Sequence, residues 1–526
     1  MLSNIKLSKS RNWICVLFLL TLGTVSLGDT VLGQGGVSLD IDQRLHFPIP
    51  APNLIPLIHD GEASIQELVT EGEDNWFHQA QLEGEPFGIG EKIFNFIAGE
   101  PGTTTHFVVA EELAKLAGLI YVQGEDLPKG LVRVHDGLGL VTQNCAACHS
   151  GMVNNHFIPG IANKWYDQKS VINETQMMME LAIPLLKLEG SKELLEQTKT
   201  QLEKLKRYKS LYGVGCEDLA PGMITAARIW EISSKLLNDP KQLETDEGKK
   251  HFLCGSTKPP ALNTLRFRNI YFWDGSVNTQ WVSHWPMFDF FGFDNYQRWA
   301  DKIKTRAIQS IDAFLTFGTK SPGWEEIMGT QINSKWAAQG FKLFHRSNSC
   351  SECHGTYSES GMLKAFRPNV TSIDVVRTDS ERTYAAFDEL MARFAQYGWA
   401  YVPRIDGLQK DYPFGYQAYP LCSTFLNYPY LHTAAVANLD QLLLPEEKRN
   451  TSYWLSETID KSRGGFYTTI PHHIDLLRWQ GISKIRTFRK ELSNGHSGAQ
   501  FGTTLNSNDR SALVEYIKTL RCPDNI

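Results

Sequence analysis

Two pentapeptides, Cys145-Ala146-Ala147-Cys148-His149 and Cys350-Ser351-Glu352-Cys353-His354, each set two thiols and an imidazole at a fixed spacing. Such a thiol pair can add to the two vinyl groups of a porphyrin, and the following histidine can reach the iron as an axial ligand. The pattern predicts two covalently attached c-type haems, with Cys145, Cys148, Cys350 and Cys353 as tethers and His149 and His354 as proximal ligands. A structural zinc site is the competing chemistry. Four-coordinate zinc needs a second Cys or His pair close to each motif, and neither motif has a second cysteine pair nearby.

The N-terminus is consistent with haem attachment outside the cytoplasm. Lys6, Lys9 and Arg11 precede an apolar run from Trp13 to Leu22, and Ser26-Leu27-Gly28 offers small residues for cleavage. This is the pattern of a signal peptide over residues 1–28, and the run is short for a membrane span. Cys15 stands near the start of the run rather than after it, which argues against a lipid anchor. The expectation is a periplasmic or secreted protein with no stable membrane insertion after cleavage. An uncleaved anchor is the alternative.

The whole chain carries 52 basic and 58 acidic side chains, a formal charge of −6. Loss of residues 1–28 removes three cations and no acid, giving about −9. A mildly acidic surface without a basic stripe argues against nucleic acid and suits a basic periplasmic electron-donor protein. The 526 residues suffice for two domains with separate cores. Cys216, Cys254, Cys422 and Cys522 remain once the motifs and the leader are set aside. In an oxidising compartment they suggest two disulfides. The neighbouring pairing Cys216–Cys254 and Cys422–Cys522 keeps each bridge within one domain, and four buried thiols are the alternative.

These residues must be positioned by elements that read as mostly helical. Leu194, Leu195, Leu202 and Leu205 give residues 191–208 a helical stripe. Residues 222–237 and 296–317 read as further amphipathic helices, and 336–344 leads into the second motif. Met177, Met178 and Met179 could offer a thioether to iron, although such a cluster in a helix usually fills a core. Near the end, Asn506 or Ser507 can cap a helix whose apolar face is Leu513, Val514, Ile517 and Leu520. Strand-like alternation is scarce. The expected fold is mainly α, with two cytochrome c-type haem domains, long coil segments and little β. After the leader come an N-terminal extension at 29–130, a first haem domain at 131–322 and a second at 323–526. The boundary falls at Ser321-Pro322-Gly323.

An internal repeat accompanies the duplicated motif. Tyr271-Phe272-Trp273-Asp274-Gly275-Ser276-Val277 aligns with Tyr430-Leu431-His432-Thr433-Ala434-Ala435-Val436, and one insertion aligns the upstream threonines, Thr264 and Thr424. Gene duplication accounts for both repeats.

Lys258-Pro259-Pro260-Ala261-Leu262-Asn263-Thr264-Leu265-Arg266 followed by Phe272-Trp273-Asp274-Gly275-Ser276 resembles the signature of bacterial dihaem cytochrome c peroxidases. That superfamily includes the enzyme that matures the tryptophan-derived quinone of methylamine dehydrogenase. Cys148-His149-Ser150-Gly151 with Pro159-Gly160, Gly415-Tyr416 with Pro420-Leu421, Pro429-Tyr430-Leu431-His432, and Phe501-Gly502-Thr503 look closest to its rubber-oxygenase-like branch. The likeness runs in patches from about residue 130 to the C-terminus. Two departures stand out. Thr433-Ala434-Ala435 replaces the usual asparagine–glycine–serine, and Ala499 stands where relatives keep a histidine, with His496 three residues upstream.

The resemblance implies a haem-dependent, peroxidase-like oxidoreductase. Hydrogen peroxide or dioxygen would react at the N-terminal haem of His149, and the C-terminal haem of His354 would relay electrons. Dioxygen-dependent cleavage of an organic substrate, and a non-enzymatic dihaem shuttle, are the alternatives. The segment from Tyr271 to Gly275 is expected to wall the distal side of the first haem, with Phe272, Trp273 and Asp274 as its active residues. Trp281, Trp285 and Trp165 are candidates to carry oxidising equivalents between the haems. His496 is expected as the second axial ligand of the C-terminal haem. His432 competes with it, and His472 and His473 stand behind both.

Overall fold

A computed structural model describes residues 55–78, 89–134, 139–212, 221–224, 255–268, 271–275, 305–385, 415–469, 483–486 and 502–524. The leader, Cys216, Cys254, Trp281, Trp285, His472, His473 and His496 lie outside these residues.

After a short helical turn at Pro56–His59, the N-terminal part holds α1 (Ile65–His78), β1 (Ile89–Gly90), α2 (Glu91–Ala98) and α3 (Thr104–Ala117). Strands β2 (Leu131–Val134) and β3 (Leu140–Gln143) follow, and β3 pairs antiparallel with both β1 and β2. Next come the first motif turn α4 (Ala146–His149), the hairpin β4 (Ser150–Val153) and β5 (His156–Pro159), and the helices α5 (Gln168–Glu189) and α6 (Lys192–Tyr212). The leucines expected to form a helical stripe lie on α6, and Leu194, Leu202 and Leu205 are buried. Met178 and Met179 are buried on α5, where Met178 packs with Phe94, Val109 and Leu186. They fill a core.

Helix α7 (Arg306–Ala313) packs along α1, and α8 (Trp324–Met328) follows the proline turn. Helix α9 (Ser334–Phe344) leads into the second motif turn, α10 (Ser351–His354). The chain continues through β6 (Thr356–Tyr357), β7 (Leu363–Ala365), β8 (Val370–Ser372), β9 (Gly415–Gln417), β10 (Ser452–Leu455) and β11 (Ser483–Arg486), paired as three two-stranded sheets. The last helix is α11 (Ser507–Thr519). Asn506 caps α11 by accepting from the N–H groups of Asn508 and Asp509, and Leu513, Val514, Ile517 and Leu520 are buried beneath it. Helix α11 lies against α9 at Gly340, where any Cβ would come within 2.1 Å of the Ala512 carbonyl oxygen. The largest core among the described residues draws Ile158, Ile161 and Phe267 together with Phe344, Phe425 and Phe466, from both sides of the Ser321-Pro322-Gly323 turn. Burial of each such aromatic contributes roughly 1.5–3 kcal/mol.

This architecture corrects the expected fold class. The described residues are 46 % helical and 14 % strand, with several small sheets, so the fold is mixed rather than mainly α with cytochrome-type domains. The strands are two to four residues long. An alternation needs more residues than that to stand out. The β4–β5 hairpin turns through Asn154 (φ 48°) and Asn155 (φ 64°), two residues that tolerate left-handed backbone where a tight hairpin requires it. The C-terminal disulfide is present between Cys422 and Cys522, with Cα atoms 5.0 Å apart.

Candidate dihaem site

Both motifs fold as one helical turn. His149 N–H donates to the Cys145 carbonyl at 3.0 Å, and His354 N–H to the Cys350 carbonyl at 2.9 Å. None of the four motif cysteines is in a disulfide. Desolvation raises the Cys148 thiol well above its ordinary range, with the neighbouring Cys145 adding to it, and burial raises Cys350.

Each motif histidine is aimed by a distant main-chain carbonyl. His149 Nδ1 lies 3.1 Å from the Pro260 oxygen, and His354 Nδ1 lies 2.7 Å from the Tyr419 oxygen. A ring that donates its Nδ1–H to a carbonyl carries its lone pair on Nε2, the arrangement that orients a metal-ligating histidine. Burial lowers the His354 pKa, so this ring is neutral and competent to ligate at neutral pH. The donor set at each motif therefore fits a c-type haem. Among the described residues no group of three or more His, Cys, Asp or Glu side chains is gathered as a metal cage, whereas a porphyrin brings four nitrogens and asks only for axial ligands.

The first motif is held by residues from the N-terminal extension. Asn144 accepts from Ala146 N–H and donates to the Trp76 carbonyl, and Trp76 Nε1 reaches the Ser150 hydroxyl at 3.3 Å. Asn163 donates to the carbonyls of Gly118 and Ala147, both at 2.8 Å, and its own N–H donates to the Cys148 carbonyl. Gly130 (φ 98°) lies so close that a Cβ would stand 2.3 Å from Ala147 Cα. At the second motif, the Tyr357 hydroxyl donates to the His354 carbonyl and accepts from Leu421 N–H at 2.7 Å. That bond fastens the motif to the segment carrying its anchor.

The two anchors belong to equivalent copies of the internal repeat. Phe272 (φ 61°) matches Leu431 (φ 64°), and Gly275 (φ 63°) matches Ala434 (φ 55°). Gly275 N–H donates to Phe272, as Ala434 N–H does to Leu431. Lys258 N–H donates to the His432 carbonyl and Gln417 N–H to the Trp273 carbonyl, both at 2.7 Å. Each partner in the second copy lies 159 positions after its counterpart (258 to 417, 260 to 419, 273 to 432). The 3₁₀ turns Leu265–Phe267 and Thr424–Leu426 keep that offset. The insertion expected between the copies is therefore not needed.

Of the residues expected to be active, Trp273 joins the anchors. Its Nε1 donates to the Lys258 carbonyl at 2.7 Å, and its ring stacks on Tyr419 with centroids 4.8 Å apart. One end thus lies two residues from Pro260 and the other on the residue that holds His354. The sequence reading reserves such a link for Trp281, Trp285 and Trp165. Trp165 is half-buried against the main core. The Phe272 carbonyl accepts from Gln417 Nε2 at 3.1 Å, and buried Asp274 faces Arg382 at 3.7 Å. His432 stacks on Tyr416 with centroids 3.9 Å apart and stands 6.4 Å from Trp273. Its Nε2 is buried without a hydrogen-bond partner, and burial first, then the Arg382 and Lys258 charges, lower its pKa to about 3. His432 is a neutral imidazole beside the link. The anchors Pro260 and Tyr419 and the clamps Asn163, Gly130 and Tyr357 escape sequence reasoning. The ungapped spacing of the repeat is the signal that could have found the anchors.

No family model matches the chain. A stretch of 125 residues, 22 % of the chain, is 31 % identical to the uncharacterized protein y4iJ of Sinorhizobium fredii (strain NBRC 101917 / NGR234). The chain spans about a fifth of that relative's length.

Proposed function

We propose that this chain is an exported dihaem c-type cytochrome with oxidoreductase activity of the peroxidase-like kind. The observation that carries the reading is the duplicated device of a thiol–thiol–histidine turn whose Nδ1 is fixed by a carbonyl of the repeat copy that follows it. When bound, each haem supplies an iron that exchanges one electron and, where an axial position is open, can take up peroxide or dioxygen. The chain contributes the rest. Cys145, Cys148, Cys350 and Cys353 tether, and His149 and His354 present Nε2. The stacked pair Trp273 and Tyr419 gives a packed aromatic route between the two anchors. By the resemblance, the His149 site reacts and the His354 site relays. The Cys422–Cys522 disulfide supports an oxidising compartment, and no helix among the described residues is long and apolar enough to cross a membrane.

Denatured protein should keep two haems by mass and give a c-type pyridine haemochrome. Changing Cys145 and Cys148 to Ala should remove one, and a chain still carrying two would end the reading. Turnover of peroxide with a reduced small cytochrome supports the peroxidase assignment. Dioxygen uptake with an organic substrate moves it to the oxygenase alternative, and low-spin signals from both irons in every redox state reduce it to a shuttle.

A further inference from the structure

Arg268 is 1 % exposed and lies between the two histidine anchors. Its Nη2 donates to the Ala261 carbonyl at 2.9 Å, next to Pro260, and its guanidinium stands 4.1 Å from the Tyr419 ring centroid. Its Nε has no hydrogen-bond partner. Among the described residues no Asp or Glu forms an ion pair with it, and the nearby buried acid Asp274 faces Arg382 instead. A guanidinium held out of water without a carboxylate is costly, so proteins pair such charges. The same loop holds a second orphan. Asn263 is 3 % exposed and neither its Nδ2 nor its Oδ1 has a partner. Its backbone N–H donates to the Gly160 carbonyl, and Gly160 N–H donates back to the His149 carbonyl. Two unpaired buried donors, Arg268 Nε and Asn263 Nδ2, therefore lie in the loop whose Pro260 carbonyl holds His149.

We propose that Arg268, assisted by the Asn263 amide, is the built-in counter-charge for a propionate carboxylate of a haem attached at these motifs. The inference rests on the dihaem reading above. Arg268 then does two things at once. It neutralises a carboxylate that the cofactor must bury, and it holds a positive charge near an iron whose reduction adds an electron. Both favour the reduced state, so Arg268 raises the potential of the haem it serves. The anchor at Pro260 and the Tyr419 ring leave two sources for the carboxylate, the first haem or the second, and the potential that moves identifies which.

The test is spectroelectrochemical titration of the holoprotein as wild type, Arg268→Gln and Arg268→Lys, with haem counted by pyridine haemochrome in each. Arg268→Gln should lower the midpoint of one haem and leave the other in place, and Arg268→Lys should restore most of the loss. Two attached haems with both midpoints unmoved overturn the proposal. So does an Arg268→Lys midpoint as low as that of Arg268→Gln, since that assigns a shape role rather than a charge role. Wild-type protein without covalent haem fails the dihaem reading instead, which keeps the two failures apart. If Arg268→Gln does not accumulate, the resonance Raman propionate bending bands of wild type decide. One band displaced to the hydrogen-bonded position supports the pairing, and all bands at the solvated position overturn it.

Discussion

Lys258 serves four partners at once. Its N–H donates to His432, its carbonyl accepts from Trp273, and its buried ammonium donates to the carbonyls of Asn427 and Pro429 at 2.5 and 2.6 Å. A second buried amine, Lys164, donates to the Leu426 carbonyl and stands 3.5 Å over the Tyr428 ring. Burial lowers the Lys258 pKa from 10.5 to about 7, and burial with the Lys258 charge holds Lys164 well below its usual value. The sign follows from proton linkage. Between about pH 7 and 10.5 the unfolded chain holds the Lys258 proton while the folded chain has released it, so stability rises with pH across that window. The cost of burying the charged form is complete below the folded value and gone above the unfolded one. Lys164 contributes in the same direction. Lys258→Met should flatten this rise, since each tenfold loss of proton affinity on folding corresponds to about 1.4 kcal/mol. Urea unfolding from pH 6.5 to 10 checks it, and parallel stability curves for the two proteins would refute it.

At the scale of elements, the close approach at Gly130 shows how tightly the first motif turn is cradled. A residue with a Cβ at φ 98° carries about 1–3 kcal/mol of backbone strain, and here the Cβ would also stand 2.5 Å from Ala147 N. Gly130→Ala should therefore disturb α4 and lower haem retention at Cys145 and Cys148, with Cys350 and Cys353 fully loaded. Peptide mass analysis reads both sites, and full loading at both with unchanged melting would count against the cradle. The legibility of the sequence tracks which elements carry side-chain signals. The Asn506 cap and the spacing of Leu513, Val514, Ile517 and Leu520 announce α11, and the thiol spacing announces both motif turns. The small strands stay hidden because two to four residues cannot establish a period, although Asn154-Asn155 is a hairpin signal in plain view. Pro260 and Tyr419 act through main-chain oxygens, which leave no mark on residue type. Asn263 sits inside the segment that carries the family resemblance and Arg268 between its two stretches, yet only buried atoms without partners single them out.

For the whole molecule, the exchange of hydrogen bonds between repeats decides how the protein comes apart. Lys258 holds His432 while Gln417 holds Trp273, and the anchors Pro260 and Tyr419 lie two residues further along the chain from Lys258 and Gln417. The core that holds Phe344, Phe425 and Phe466 also crosses the turn at 321–323. These exchanged bonds and the shared core tie the two copies together, so the described halves should unfold as one cooperative unit. The Cys422–Cys522 bridge, 100 residues apart in sequence, closes a loop around the second copy and the C-terminal helix. In the chain-entropy model a loop of that size stabilises by roughly 4.7 kcal/mol, much of it lost in practice to strain and residual structure. Thermal melts followed by far-ultraviolet circular dichroism and by absorbance of each haem should share one midpoint. Cys422→Ser with Cys522→Ser should move that midpoint down without splitting it, because the bridge constrains the unfolded chain while the reciprocal bonds between repeats stay in place. Two separated transitions, in either protein, would mean that the two halves are independent and that the repeat contacts are too weak to couple them.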